Sequence, residues 1–365
     1  MEKIETKGLS WAAALLVTAC ITLISFLIAL GFSSRSSGPG GSATLLPCSS
    51  GQTVMPLGDG VIYGDTTHLH ALNSSGRQIW NYLVGAGFSF EANEDGVAAW
   101  TGSSVALLNG RDGEQLFSGV MKQPVLSASM GSRYAAVLIG EDAQDSTLVI
   151  MEHGGRIIDE IGLPNLTVLQ YGFFNSGDML WVMSLDTEGT VPMSQLTTYK
   201  PGRMQSGNIT DSDQVLYQVM FQSPNVYTVG TTYAKVYDYT GVEDVARRRL
   251  VYGWYLMDSD GEGANSLMAF APMSQVGSQV SVSDVRMISG SVDRTVRMPF
   301  ECFALAVRNN RVYGFSGQYV MSYGLNDAKA TTTQLPVQCD AMLGITEKNE
   351  AIVVSGGSVY LVALP

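Results

Sequence analysis

Ala71-Leu72-Asn73-Ser74-Ser75-Gly76-Arg77-Gln78-Ile79-Trp80 is the stretch on which the fold turns. An alternating apolar run, Leu69-His70-Ala71-Leu72, leads into it, and Gln78-Ile79-Trp80-Asn81-Tyr82 leads out. Between them Asn73 and Gly76 bracket two serines. Asn bonds its own backbone two residues on, and Gly reaches positive φ at no steric cost, so the segment reads as strand, tight turn, strand. With Val61-Ile62-Tyr63 just before, these make the first set of short strands.

The same pattern recurs. Leu107-Leu108-Asn109 to Gly113, with Phe117 in the place of Trp80, is a second copy, and Gly155, Gly202 and Gly241 repeat the turn without the Trp: Asp159 and Ser206 stand four residues after the first two. Strands at 105–108 and 148–151 precede two of these turns. A separate class of turn lies near Asp59-Gly60, Asp95-Gly96, Gly131-Ser132, Ser176-Gly177, Ser223-Pro224, Gly261 to Gly263, Asn309-Asn310 and Lys348-Asn349, eight turns spaced 36 to 48 residues apart. Pro299-Phe300-Glu301-Cys302 and Pro336-Val337-Gln338-Cys339 form the most alike pair, 37 residues apart. No stretch keeps an apolar period of 3.6 over a helix length, so helices are expected to be few.

A unit of about 40 residues with four strands is the size of a propeller blade. One such sheet cannot cover both faces, so the units must stack in a ring. The expected fold is all-β: a β-propeller of eight four-stranded blades, with seven as the alternative. The last unit, with strands at 351–354 and 359–363, runs out of chain before its fourth strand. Thr44 to Cys48 is expected to supply it and latch the ring.

Ala71, Asn73, Gly76 and Trp80 together resemble the tryptophan-docking repeat of the pyrroloquinoline-quinone-type (PQQ-like) propellers. That resemblance implies that Trp80 packs between blades and implies no chemistry. A quinoprotein dehydrogenase of this type carries an adjacent cysteine pair, and this sequence has none. The whole arrangement also resembles an uncharacterised family of bacterial membrane-anchored propellers.

That arrangement includes an N-terminal membrane segment. Residues 11–32, within the uncharged interval between Lys7 and Arg35, would form a helix about 33 Å long, enough to cross a hydrocarbon core of about 30 Å. The polar side chains Thr18, Thr22 and Ser25 can bond back to their own backbone. The run is longer than a signal-peptide core, and apolar or small residues continue well past Cys20, so an uncleaved signal anchor fits better than a cleaved leader or a lipidated cysteine. Lys3 and Lys7 precede the span and Arg35 alone follows closely, placing the N-terminus in the cytoplasm. The expected organisation is a cytoplasmic head at 1–10, a transmembrane anchor at 11–32, a Ser/Gly/Pro linker at 33–43 and an extracytoplasmic propeller at 44–365.

The chain has 365 residues and a net charge of −12. Beyond residue 35 it holds 18 basic and 31 acidic residues. So acidic a domain is a poor partner for nucleic acid, which condenses on basic surfaces.

Candidate sites are sparse. Asp258, Asp260 and Glu262, with Gly263, match the front half of a calcium loop, but Ala269 stands where the bidentate carboxylate belongs, so Ca²⁺ is the one cofactor considered and a solvated acidic turn is the default. Cys302 and Cys339 occupy matching repeat positions, leaving a disulfide and two buried thiols as open alternatives. His68 and His70 share a strand face; without a third ligand they read as surface histidines. Arg247-Arg248-Arg249 reads as a solvated loop that could dock an acidic partner. No nucleophile elbow, P-loop or dinucleotide fingerprint is present. The expected function is a non-catalytic, membrane-anchored module binding a protein or cell-envelope partner. The alternatives are an enzyme, glycan-acting or a vestigial quinoprotein, and a ligand-sensing ectodomain.

Overall fold

The computed structural model describes residues 41–365 except 143, 204, 223–224, 239, 261–265 and 278. Eight four-stranded antiparallel sheets follow one another along the chain. Blades one to seven span 54–83, 89–120, 125–164, 166–211, 216–250, 254–302 and 304–334. Blade eight takes three strands from the C-terminus, Ala341–Ile345, Glu350–Ser355 and Ser358–Ala363, and its fourth from the N-terminal side, Ala43–Ser49. Ala43 pairs with Val362, Thr44 with Leu361 and Ser49 with Ser358. The ring is therefore closed by hydrogen bonds between distant parts of the chain, and the expected latch is present.

Six of the eight turns of the first sequence class join the first and second strands of successive blades, and the other two, at 223–224 and 261–263, fall outside the described residues between the corresponding strands. Five glycines of the second class, Gly76, Gly113, Gly155, Gly202 and Gly241, join third and fourth strands, each with φ between 72° and 89°. Because strands alternate in direction, both sets of turns lie on one face of the ring, the hairpin face. The links between blades and the second-to-third turns lie on the other, the linker face.

The core is tangential. Eight apolar clusters each join two neighbouring blades, one cluster per interface. Second strands are buried almost throughout, as in Gly60–Gly64, while fourth strands alternate, as in Gln78–Leu83. A blade thus hides both sheet faces only between its neighbours, which is why the repeat has to close. Register irregularities near the start of the first strands of blades three, four, five, six and eight leave Leu126, Leu169, Tyr217, Met257 and Leu343 unpaired. Two short 3₁₀ turns are the helical elements among the described residues.

The anchor and head lie outside the described residues, as does the linker up to residue 40. Among the described residues no helix is long and apolar enough to cross a membrane.

Candidate functional site: the two faces of the ring

The docking motif is a structural joint. Asn73 Oδ1 accepts from the backbone N–H groups of Ser75 and Arg77, each at 3.0 Å, fixing the turn that puts Gly76 at positive φ. Ala71 is fully buried and pairs with Trp80 across the sheet. The Trp80 indole N–H donates to Gly110 O of blade two at 3.0 Å, and its ring covers Gly113. Phe117 covers Gly155 in the same way, Ile158 covers Gly202, and the latch residues Thr44 and Leu46 lie against Gly76. The outer strands of blades eight, one, two, three and four therefore each rest on the turn glycine of the next blade, and aliphatic side chains do this job where the aromatic is lost.

The acidic motif has a job within the fold. Asp258 Oδ2 accepts from Val307 N at 2.7 Å and Asp260 Oδ2 from Asn310 N at 3.0 Å, so both clasp blade seven. Burial raises the Asp258 carboxyl above its ordinary value, and the N–H groups of Val307 and Ser259 pull against that rise. Glu262 lies outside the described residues. Among those described, no three His, Cys, Asp or Glu side chains gather closely enough to hold a metal. The clasp was not legible because its partner lies about one repeat downstream.

Of the two open alternatives for the cysteines, the structure holds the buried thiols. Cys302 and Cys339 are free, buried thiols, as is Cys48. Cys302 and Cys339 each stand two residues before the first strand of a new blade, so the repeat carries them into successive interfaces rather than together. Cys302 packs among Met298, Leu305 and Val312 between blades six and seven; Cys339 packs with Phe315, Leu335 and Val353 between seven and eight.

The histidine reading is revised. Asp65, three residues before His68, is an acidic partner of the pair. It accepts from the backbone N–H groups of Thr67 and His68, both at 2.7 Å, and lies 2.8 Å from His70 Nε2. The Thr67 N–H, then His70, hold its carboxyl well below the usual carboxylate range. His70 is only 16% exposed, stacked on Tyr63 and bonded to Gln78, so it is a built-in member of blade one rather than a surface residue. Asp65 also lines a linker-face depression of about 560 Å³ with Gln52, Thr53 and Phe88. Of the arginine run, Arg248 is held by both oxygens of Glu243, at 2.6 and 2.8 Å, and Arg247 reaches the Tyr227 hydroxyl.

Two features had no sequence reading at all. Lys235 and Asp211 form a buried ion pair of 2.8 Å between blades four and five, their side chains 5% and 1% exposed, with Gln214 donating to the same oxygen. A lysine within the otherwise apolar Tyr233–Tyr237 run was the available signal. On the linker face, Tyr252, in the link that enters blade six, is 73% exposed, and Met273 and Phe300 of blade six are 56% and 48% exposed, Phe300 stacked on Tyr319 of blade seven. Met273 N donates to Gly253 O, drawing the first two together, and Tyr255 stacks on Tyr217 with ring centres 5.3 Å apart. The opposite, hairpin face has a depression of about 750 Å³ lined by Asp59, Glu94, Asp95, Glu347, Arg111 and His153. Asp59 is paired there with Lys348 at 2.9 Å, and burial, with the neighbouring Glu94 charge, raises Asp95.

Known structures agree on the architecture. The chain is similar to Sqt1 of Saccharomyces cerevisiae, with a TM-score of 0.59 at 12% identity over 89% of this chain and 100% of that one. It is similar to the C-terminal WD40 domain of Sif2, at 0.60 and 11% over 90% and 100%. It is also similar to BamB from Moraxella catarrhalis, at 0.53 and 11% over 88% and 98%. The fold is an eight-bladed β-propeller. No family model matches the sequence, and no curated protein matches it.

Proposed function

We propose that this propeller is a non-catalytic protein-binding or scaffolding module, held at the outer face of a membrane by the apolar segment at 11–32. The observation that carries the binding reading is the exposed set Tyr252, Met273 and Phe300 on the linker face. Large exposed aromatic and thioether side chains are the composition of interface centres, where a few such residues supply most of the affinity. Similarity in fold to BamB is in keeping with a PQQ-like origin and a bacterial source, which belong to the same proposal. Tethering would raise effective concentration and so favour a weak binder.

The test is site-specific photo-crosslinking in native membranes. A probe at Tyr252 should capture a defined partner, and a probe at Ala328 on the hairpin face should not. Phe300→Ala combined with Met273→Ala should cut capture at least several-fold. Equal capture from both faces, or capture indifferent to the double variant, would sink the reading.

A second reading, an enzyme acting on glycans, is favoured by the carboxylate-lined depression on the hairpin face. There Asp95, raised by burial, is the candidate general acid, with Asp59, Glu94 and Glu347 as candidate partners. Release of reducing ends from cell-wall glycan, abolished in Asp95→Asn, is the result it requires.

A further inference from the structure

The closure of the ring fixes where the tether leaves it. Ala43 pairs with Val362, Gly41 packs beside the Ala363 methyl, and Leu364 N donates to Asn349 O in the first turn of blade eight. Asn349 and Ala363 both stand on the hairpin face. The chain preceding residue 41 therefore joins the propeller at the hairpin-face rim of blade eight.

Charge is divided between the faces in the same sense. The links and turns of the linker face carry six acids, Asp65, Glu141, Asp142, Glu188, Asp213 and Asp340, against one base, Lys122. The turns of the hairpin face carry ten bases. Among these Lys200 and Arg203 are exposed, with no ion pair among the described residues. By sequence the acids on that face number twelve, so it carries a net charge of −2 against −5 on the linker face.

Resting on the anchor reading above, we propose that the propeller sits with its hairpin face toward the lipid headgroups and displays its linker face, with Tyr252, Met273 and Phe300, away from the bilayer. A linker of about ten residues reaches at most about 35 Å, so the rim cannot leave the surface by more than the propeller's own scale. Within a Debye length of about 10 Å, an anionic surface repels the linker face more strongly than the mixed hairpin face, which adds to the bias that the tether's exit point sets. The acid-lined depression then opens toward the membrane, so orientation also separates the binding and enzyme readings by face.

The experiment uses the full chain, with Cys20→Ser, in vesicles of phosphatidylcholine and phosphatidylglycerol doped with a paramagnetic nickel-chelating headgroup lipid. A fluorophore is placed on Ala328→Cys, on the hairpin face, or on Thr187→Cys, on the linker face. Quenching by the lipid should be several-fold greater at position 328, and Lys200→Glu with Arg203→Glu, or high salt, should narrow the difference. Equal quenching, or greater quenching at 187, in protein that resists alkaline extraction overturns the orientation and leaves the anchor standing. Protein released by alkaline extraction overturns the anchor reading and the orientation with it.

Discussion

The Trp80 ring covers Gly113 so closely that a β-carbon on that glycine would come within 2.7 Å of it. Gly113 also has φ of 72°, a conformation that side chains resist. Two reasons therefore exclude a side chain at one position, and one of them belongs to a different blade. Trp80→Ala should cost about 3–5 kcal/mol, as expected for a buried indole, and Gly113→Ala about 1–3 kcal/mol from overpacking. Denaturant midpoints should show the double variant to be less unstable than the sum, because removing the ring also removes the clash.

The latch predicts a different signature. Leu46 is buried against blade one, in a cluster with Val61, Tyr63 and Ile352. Leu46→Asp would place a charge there and free the edge of Ser358–Ala363. Hydrogen exchange should rise first at 358–363 and then in blade one, with blades three to five unaffected at early times. Uniform acceleration around the ring would argue against the latch as the weak point.

What the sequence made legible follows from what repeats. Turn residues recur because every blade needs the same hairpins, so Gly76, Gly113 and Asn349 announced blade number and closure. Contacts that join one blade to the next are set by shape at a distance of one repeat, and they vary freely. Trp80, Phe117 and Ile158 do one job with three side chains, and only the first carries a recognisable motif. The Asp258 clasp and the Lys235–Asp211 pair link positions 49 and 24 residues apart without any periodic signal. The exposed residues at blade six were hidden for another reason: Tyr252, Met273 and Phe300 lie on three separate segments.

Lys235 and Asp211 should behave as a buried pair. Lys235→Met leaves the Asp211 charge uncompensated in the interface between blades four and five, at a cost of about 3–5 kcal/mol, and Asp211→Asn leaves Lys235 only the exposed Asp213 carboxylate at 3.7 Å, at a smaller cost. Lys235→Met with Asp211→Leu should recover most of that, since an apolar pair of similar volume avoids both desolvation costs. Thermal or urea unfolding of the three variants checks this; a double variant no better than the singles would contradict it.

The cysteines give a direct chemical test. Burial pushes the thiols of Cys302 and Cys339 each up to about 12, with Asp340 contributing at Cys339, and that of Cys48 up to about 11. Thiolate is the reactive form, so native protein should alkylate slowly at all three. After denaturation, all three should be modified to the same extent with or without reductant, read by mass spectrometry. A Cys302–Cys339 peptide surviving without reductant would restore the disulfide.

Stability should respond to pH in opposite senses at two carboxylates. Burial raises Glu91, which takes one hydrogen bond from the Ser129 hydroxyl at 2.7 Å, and that bond offsets only part of the rise. Its contribution is therefore fully present below the unfolded value of about 4.3 and is lost as pH climbs through the higher folded value. Asp293 is the reverse. The Arg286 hydrogen bonds, at 2.7 and 2.8 Å, lower it, and the guanidinium charge adds to this. Its contribution is present above the unfolded value of about 3.9 and is lost as pH falls through the lower folded value. Glu91→Gln should flatten the decline in stability above about pH 4.3 and leave the acid limb unchanged. Asp293→Asn should flatten the acid limb and leave the other unchanged. Urea midpoints measured across that range distinguish the two, because each substitution removes one slope of known sign while the other serves as its internal control.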